Sequence, residues 1–187
     1  VYFYERNSDN LHTHWAPAPH RSIINPTFYA SRGYVVFVPD IVYEEGYPGE
    51  SAYNSIMPGV TQLADAPYID RDRIGVQGHS WGGYQIAYMV TRTDLFAAAE
   101  AGAPVANMTS AYGGIRRRTG RSRMFQYEQT QSRIGGSLWE YPTRYWENSP
   151  LFYADRINTP LMMMHNDEDG AVPFEQGVEM FMAMRRL

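Results

Sequence analysis

The stretch Gly78-His79-Ser80-Trp81-Gly82 restricts this chain more than any other five residues. It stands between residues 74–77, which have strand character, and residues 82–91, which have helical character. A chain passing from strand to helix through Gly-x-Ser-x-Gly must bend sharply, and the bend holds the serine in a strained conformation with its hydroxyl exposed. Gly78 and Gly82 are small because the two arms of the bend come close together. The N–H of Trp81 points to where negative charge would develop if Ser80 attacked a carbonyl. The plainer reading is a glycine-rich turn before a helix. A phosphate-binding loop is excluded, because it needs a lysine and all sixteen basic residues here are arginine.

The rest of the chain supplies the frame this bend requires. Short apolar runs alternate with amphipathic stretches, which predicts a parallel sheet with crossover helices. Strands are expected at 1–4, 34–38, 74–77, 96–101 and 160–165. Helices are expected at 22–31, closed by Gly33, at 55–66 with Pro58 in the first turn, at 82–91, and at 173–186 with Val178, Phe181 and Met182 on one face. Between Val105 and Pro150 the pattern dissolves into Arg-, Tyr- and Trp-rich loops and short helices, as in a cap. With 187 residues, 44% of them apolar, the chain can bury one sizeable core. Its longest apolar runs are five residues, so no segment reads as membrane-spanning, and a net charge of −4 leaves no footprint for nucleic acid. The absence of cysteine removes disulfides, a thiolate nucleophile and cysteine-based zinc sites, and leaves the compartment open between cytosol and export.

A serine hydroxyl needs a histidine to take its proton and a carboxylate to orient that histidine. After such a bend the acid is expected on a loop following a later strand, with the histidine after it. The loop after 160–165 reads Asn166-Asp167-Glu168-Asp169-Gly170-Ala171-Val172-Pro173. Asp169 is the preferred acid, because Gly170 lets the loop turn while Val172-Pro173 starts the next helix; Asp167 is the second choice. The alternative is an acidic solvated loop. No histidine has the expected place: His12, His14, His20 and His79 precede the acid, and His165 ends the strand that supports it. His12 and His14, with Asp9 or His20, have the residue types of a metal site, but loop histidines are usually solvated, so neither metal nor cofactor is expected.

Gly78–Tyr84 preceded by Asp70-Arg71-Asp72-Arg73-Ile74-Gly75-Val76, the segment His165–Pro173, and Ala103-Pro104-Val105 together resemble the catalytic domain of the prolyl oligopeptidase family. The resemblance covers nearly the whole chain. It implies an α/β-hydrolase fold, a mostly parallel sheet with helices on both faces, here truncated at both ends. It also implies Asp169 as triad acid and Tyr4 as the residue whose hydroxyl joins the Trp81 N–H at the oxyanion. Asn166 stands where the family has Gly, and Glu5 and Arg6 replace the glycines that follow the tyrosine. By position, Trp81, Tyr84, Val105, Met108 and Val172 would form the substrate pocket, an aromatic-aliphatic slot suited to proline or alanine. Arg116, Arg117, Arg118, Arg121 and Arg123 read as a solvated basic loop, with a clamp for a peptide carboxylate as the alternative. The family's histidine lies a few dozen residues beyond the acid, and its N-terminal β-propeller has no counterpart here. The expected protein is therefore a serine peptidase acting on short peptides, represented by residues 1–187 of its catalytic domain. Its partners would be the peptide and the propeller and C-terminal segment of the same polypeptide. A carboxylesterase on the same scaffold and a catalytically incompetent fragment are the competing readings. Oligomeric state is left open.

Overall fold

The computed structural model describes residues 1–20 and 22–187. In chain order its main elements are α1 (Pro26–Ala30), α2 (Pro48–Ala64), β1 (Gly75–His79), α3 (Trp81–Met89), β2 (Ala98–Gly102), α4 (Met108–Tyr112), the hairpin β3 (Ile115–Arg116) and β4 (Arg121–Ser122), α5 (Met124–Glu128), α6 (Pro142–Glu147), β5 (Leu161–Met164) and α7 (Phe174–Arg186). Strands β1, β2 and β5 form a parallel sheet in that order, with Gly75 opposite Ala98 and Ala99 opposite Leu161. The parallel sheet with crossover helices is the one the periodicity predicts. No helix among the described residues is long and apolar enough to cross a membrane.

Two expected strands are reduced. Residues 1–4 contribute a single parallel bridge, Tyr2 with Gln77, and residues 34–38 touch them through one bond, from Tyr2 N–H to Phe37 C=O (3.0 Å). Tyr34 and Val35 are exposed, so the apolar pattern of this segment meets no neighbour on its outer side. Helix α2 begins earlier than predicted, because Pro48 takes the first helical position, where its fixed φ is already helical. Pro58 consequently lies inside the helix, not in its first turn, and the Asn54 carbonyl loses its usual N–H partner.

The apolar face of the sheet, including Val76, Ala99 and Ala101, packs on Ile56 and Val60 of α2, on Ile86 and Met89 of α3, and on Val90 just after it. A second cluster is aromatic, with Trp81, Tyr84, Tyr88, Tyr112, Tyr127 and Tyr145, and is built largely from the irregular stretch after Val105. Helix α7 turns a different face inward from the one its apolar residues suggest. Val178, Phe181 and Met182 are exposed, whereas Gln176, Gly177 and Met180 are buried. The cause is Gln176, whose Oε1 accepts from the N–H groups of Ala106 (3.1 Å) and Asn107 (2.8 Å). Two otherwise unsatisfied backbone donors fix the rotation of the helix.

On the opposite sheet face, Glu100 lies level with Gln77 and Met162. Burial pushes its carboxyl from 4.5 up to about 7. The folded state therefore binds a proton that the unfolded chain has released between pH 4.5 and 7, and stability falls as pH rises through that window. Glu100 keeps contact with solvent, which reduces the effect to about 1 kcal/mol. Glu100→Gln is thus expected to raise Tm by about 2–4 °C at pH 8 and to leave it unchanged at pH 4, measured by thermal denaturation. Equal shifts at both pH values would show that charge burial is not the cause.

Candidate active site

Ser80 precedes α3 with φ 58° and ψ −115°, a backbone that L-residues rarely adopt. Such a conformation costs about 1–2 kcal/mol and persists only where its surroundings hold it. Here the Ser80 N–H donates to Gly102 C=O (2.7 Å) and its carbonyl accepts from Tyr84 N–H (2.9 Å). The two flanking glycines are sterically required. A Cβ on Gly78 would lie 2.7 Å from the Gly82 carbonyl carbon, and one on Gly82 would lie 2.8 Å from Phe3 O. Trp81 begins the helix, so its N–H has no acceptor within α3. Its indole N–H donates to Tyr43 Oη (2.9 Å), which fixes the side chain.

Tyr4 and Ser80 line one cavity of about 230 Å³. The Tyr4 hydroxyl accepts from Gln131 Nε2 (3.0 Å), Gln131 Oε1 accepts from Gln126 Nε2 (2.8 Å), and Gln126 Oε1 accepts from Arg116 Nη2 (2.9 Å). Because Tyr4 is the acceptor in this chain, its own proton stays available to an anion in the cavity. Glu5 and Arg6 do not remove Tyr4 from the site. The Glu5 carboxylate pairs with Arg133 (3.1 Å), and Tyr43 Oη donates to the Tyr4 carbonyl (3.3 Å).

The acidic loop separates its candidates. Asp167 and Glu168 are exposed, whereas Asp169 is partly buried. Asp169 Oδ1 accepts from the N–H groups of Ala171 (2.7 Å) and Val172 (3.0 Å), and these two residues reach the Ser80 cavity. Its Oδ2 lies 3.9 Å from His165 Nε2, but that nitrogen is 3.1 Å from the Val172 carbonyl and is engaged there. His165 packs edge-on against Phe174, away from the cavity lining. His12, His14 and His20 are exposed, and no group of three metal-ligating side chains occurs among the described residues. None of these histidines lines the cavity.

Of the residues expected to shape a substrate pocket, Trp81, Val105 and Val172 line the cavity. Tyr84 and Met108 do not; both are fully buried in the aromatic cluster. The Tyr84 ring stacks on Trp81 at 4.5 Å with its hydroxyl toward Asn148, and the Met108 N–H at the start of α4 donates to Ser149 Oγ (2.8 Å). Polar residues stand in the lining as well: Gln126, Gln131 and Ser132, which the sequence did not single out, and Arg116 and Arg123 of the basic loop, for which it offered a carboxylate clamp as the alternative. Arg123 is 2% exposed, which overturns a wholly solvated reading of that loop. Five arginines within eight residues announce a basic segment, but nothing in their spacing marks the one that turns inward.

Known proteins resemble this chain over most of its length. The uncharacterised peptidase YuxL of Bacillus subtilis is 29% identical over 140 residues, covering 74% of this chain and 20% of the relative. Dipeptidyl-peptidase 5 of Porphyromonas gingivalis is 28% identical over 176 residues, covering 84% of this chain and 24% of the relative. The solved structure of the acylaminoacyl peptidase of Pyrococcus horikoshii superposes with a TM-score of 0.63 at 26% identity, over 76% of this chain and 22% of that one. The chain thus spans about a fifth to a quarter of the length of these relatives. A model of the prolyl oligopeptidase family matches residues 19–187, and the chain belongs to that family.

Proposed function

We propose that these residues are part of a serine peptidase that cleaves short peptides through an acyl-enzyme. Ser80 attacks the scissile carbonyl, the Trp81 N–H and the Tyr4 hydroxyl hold the oxyanion, and Asp169 orients the histidine that serves as base and then acid. None of the histidines of this chain lines the cavity, so the reading takes that base from a segment of the full-length protein outside residues 1–187. The left-handed backbone of Ser80 at a strand-to-helix junction, opening into a cavity shared with Tyr4, carries the proposal. The names of the relatives, a dipeptidyl-peptidase and an acylaminoacyl peptidase, support peptides as the substrate class.

A fluorophosphonate probe is expected to label the full-length protein on Ser80, located by peptide mapping, and the same protein is expected to hydrolyse a dipeptide amide. Labelling elsewhere would displace Ser80 as nucleophile. Ester turnover with no amide cleavage would replace the peptidase with an esterase on the same scaffold.

A further inference from the structure

The cavity beside Ser80 holds a charge that nothing around it neutralises. Arg123 is 2% exposed, and its Nε and Nη1 have no hydrogen-bond partner. Among the described residues no carboxylate lies within ion-pairing distance of it. Its guanidinium carbon is 5.5 Å from the centre of the Tyr127 ring, and the Tyr127 hydroxyl is buried beside it. Two other arginines of the same segment have partners. Arg117 pairs with Glu175 at the surface, and Arg116 donates to Gln126. Arginine stays protonated at any physiological pH, so burial cannot be relieved by losing the proton. A buried cation left without a counter-charge is strongly destabilising, and a ligand that supplies the missing anion relieves it.

On the reading that Ser80 is the nucleophile, we propose that this cavity selects a carboxylate: the side chain of a glutamate or aspartate whose own carbonyl Ser80 attacks. Ser80 and Arg123 line the same cavity, so a residue that presents its carbonyl to Ser80 reaches Arg123 with its side chain. Trp81, Val105 and Val172 offer apolar surface to the side-chain methylenes, and the planar guanidinium presents its donors to the carboxylate as a fork. The neutral slot suited to proline or alanine gives way to an acid-selective one. The same carboxylate chemistry could come from a free C-terminal α-carboxylate beyond the scissile bond, and substrate design separates the two sources.

The test uses the full-length enzyme with blocked peptide amides that differ only in the residue before the scissile bond: Glu, Asp, Gln, Ala, Pro or Phe. A further pair carries a free α-carboxylate after the bond, with Gln or Ala before it. The expected result is a kcat/KM for Glu at least about 100-fold above that for isosteric Gln, since a site built around a charge rejects the analogue that leaves it unpaired. Arg123→Met is expected to bring the Glu-to-Gln ratio close to one, and Arg123→Lys to restore part of it. The wild-type ratio decides the matter even if neither variant folds. Preference for Pro, Ala or Phe over Glu would overturn the proposal, and so would preference for the free α-carboxylate whatever residue precedes the bond. If the fluorophosphonate labels Ser80 in either case, the nucleophile reading stands and only the specificity fails. If neither labelling nor cleavage occurs, the reading of Ser80 falls with it.

Discussion

Ser80→Ala in the full-length protein is expected to lower kcat about a millionfold, and Asp169→Asn about ten-thousandfold. The first change removes the proposed attacking atom. The second is nearly isosteric, and its effect follows from the hydrogen bonds of the loop. Asp169 Oδ1 is committed to the Ala171 and Val172 N–H groups, so only Oδ2 is free to accept from a histidine. An asparagine that keeps its oxygen on those two donors must turn its NH₂ toward the histidine, which then faces a donor where it needs an acceptor. The imidazole is held in the wrong tautomer, while binding of substrate is untouched. The loss should therefore appear in kcat, with KM changed by less than about threefold. The same substitution at exposed Asp167 is the control, expected to leave kcat within about twofold. Comparable losses at both positions would mean that the loop acts through its total charge and that Asp169 has no distinct role.

Gly83→Ala is expected to cost about 3 kcal/mol, lowering Tm by about 6–12 °C. A Cβ at Gly83 would run into the Gly102 carbonyl oxygen and stand 3.2 Å from the Gly102 carbonyl carbon. Both partners are backbone in the sheet, so relief requires α3 to move off β2. The oxygen it strikes also accepts the Ser80 N–H, so the shift reaches the proposed nucleophile, and activity is expected to fall along with stability. Gly113→Ala is the matched control. A Cβ there meets nothing within 4 Å and the backbone is already helical, so a change within about 0.5 kcal/mol is expected. Denaturation curves for the two variants test the argument, and equal midpoints would refute it.

What could be read from the sequence was what neighbouring residues impose on one another. The bend at Ser80 is set by glycines two residues to either side. The turn of the acidic loop 166–173 is set by Gly170 and by the Val172-Pro173 stop, and Asp169 folds back on N–H groups two and three residues ahead. The parallel sheet follows from the alternation of apolar runs. Features that depend on distant partners left no such trace. The bond that supports the Tyr4 hydroxyl comes from Gln131, 127 residues away, and no local pattern distinguishes that glutamine from its neighbours. The rotation of α7 is decided by Gln176 bonding to a loop some seventy residues earlier, and that contact outweighs the apolar stripe of Val178, Phe181 and Met182. Arg123 turns inward because the β3–β4 hairpin and α5 place it there, although its composition alone argues for solvent.

The pairing of β2 with β5 has a consequence in time as well as space. Ala99 meets Leu161, and the cavity wall needs Ala171 and Val172 beyond it. Contacts of such long range form late, after the local helices and turns. On the ribosome the chain emerges from its N-terminus at about 5–20 residues per second, so several seconds pass between the appearance of Ser80 and that of the loop carrying Asp169. During that interval Ser80 is without the loop that closes its cavity. On the proposed reading, the nucleophile and the acid that orients its base come together only once both segments have emerged, so strand order delays the assembly of the site.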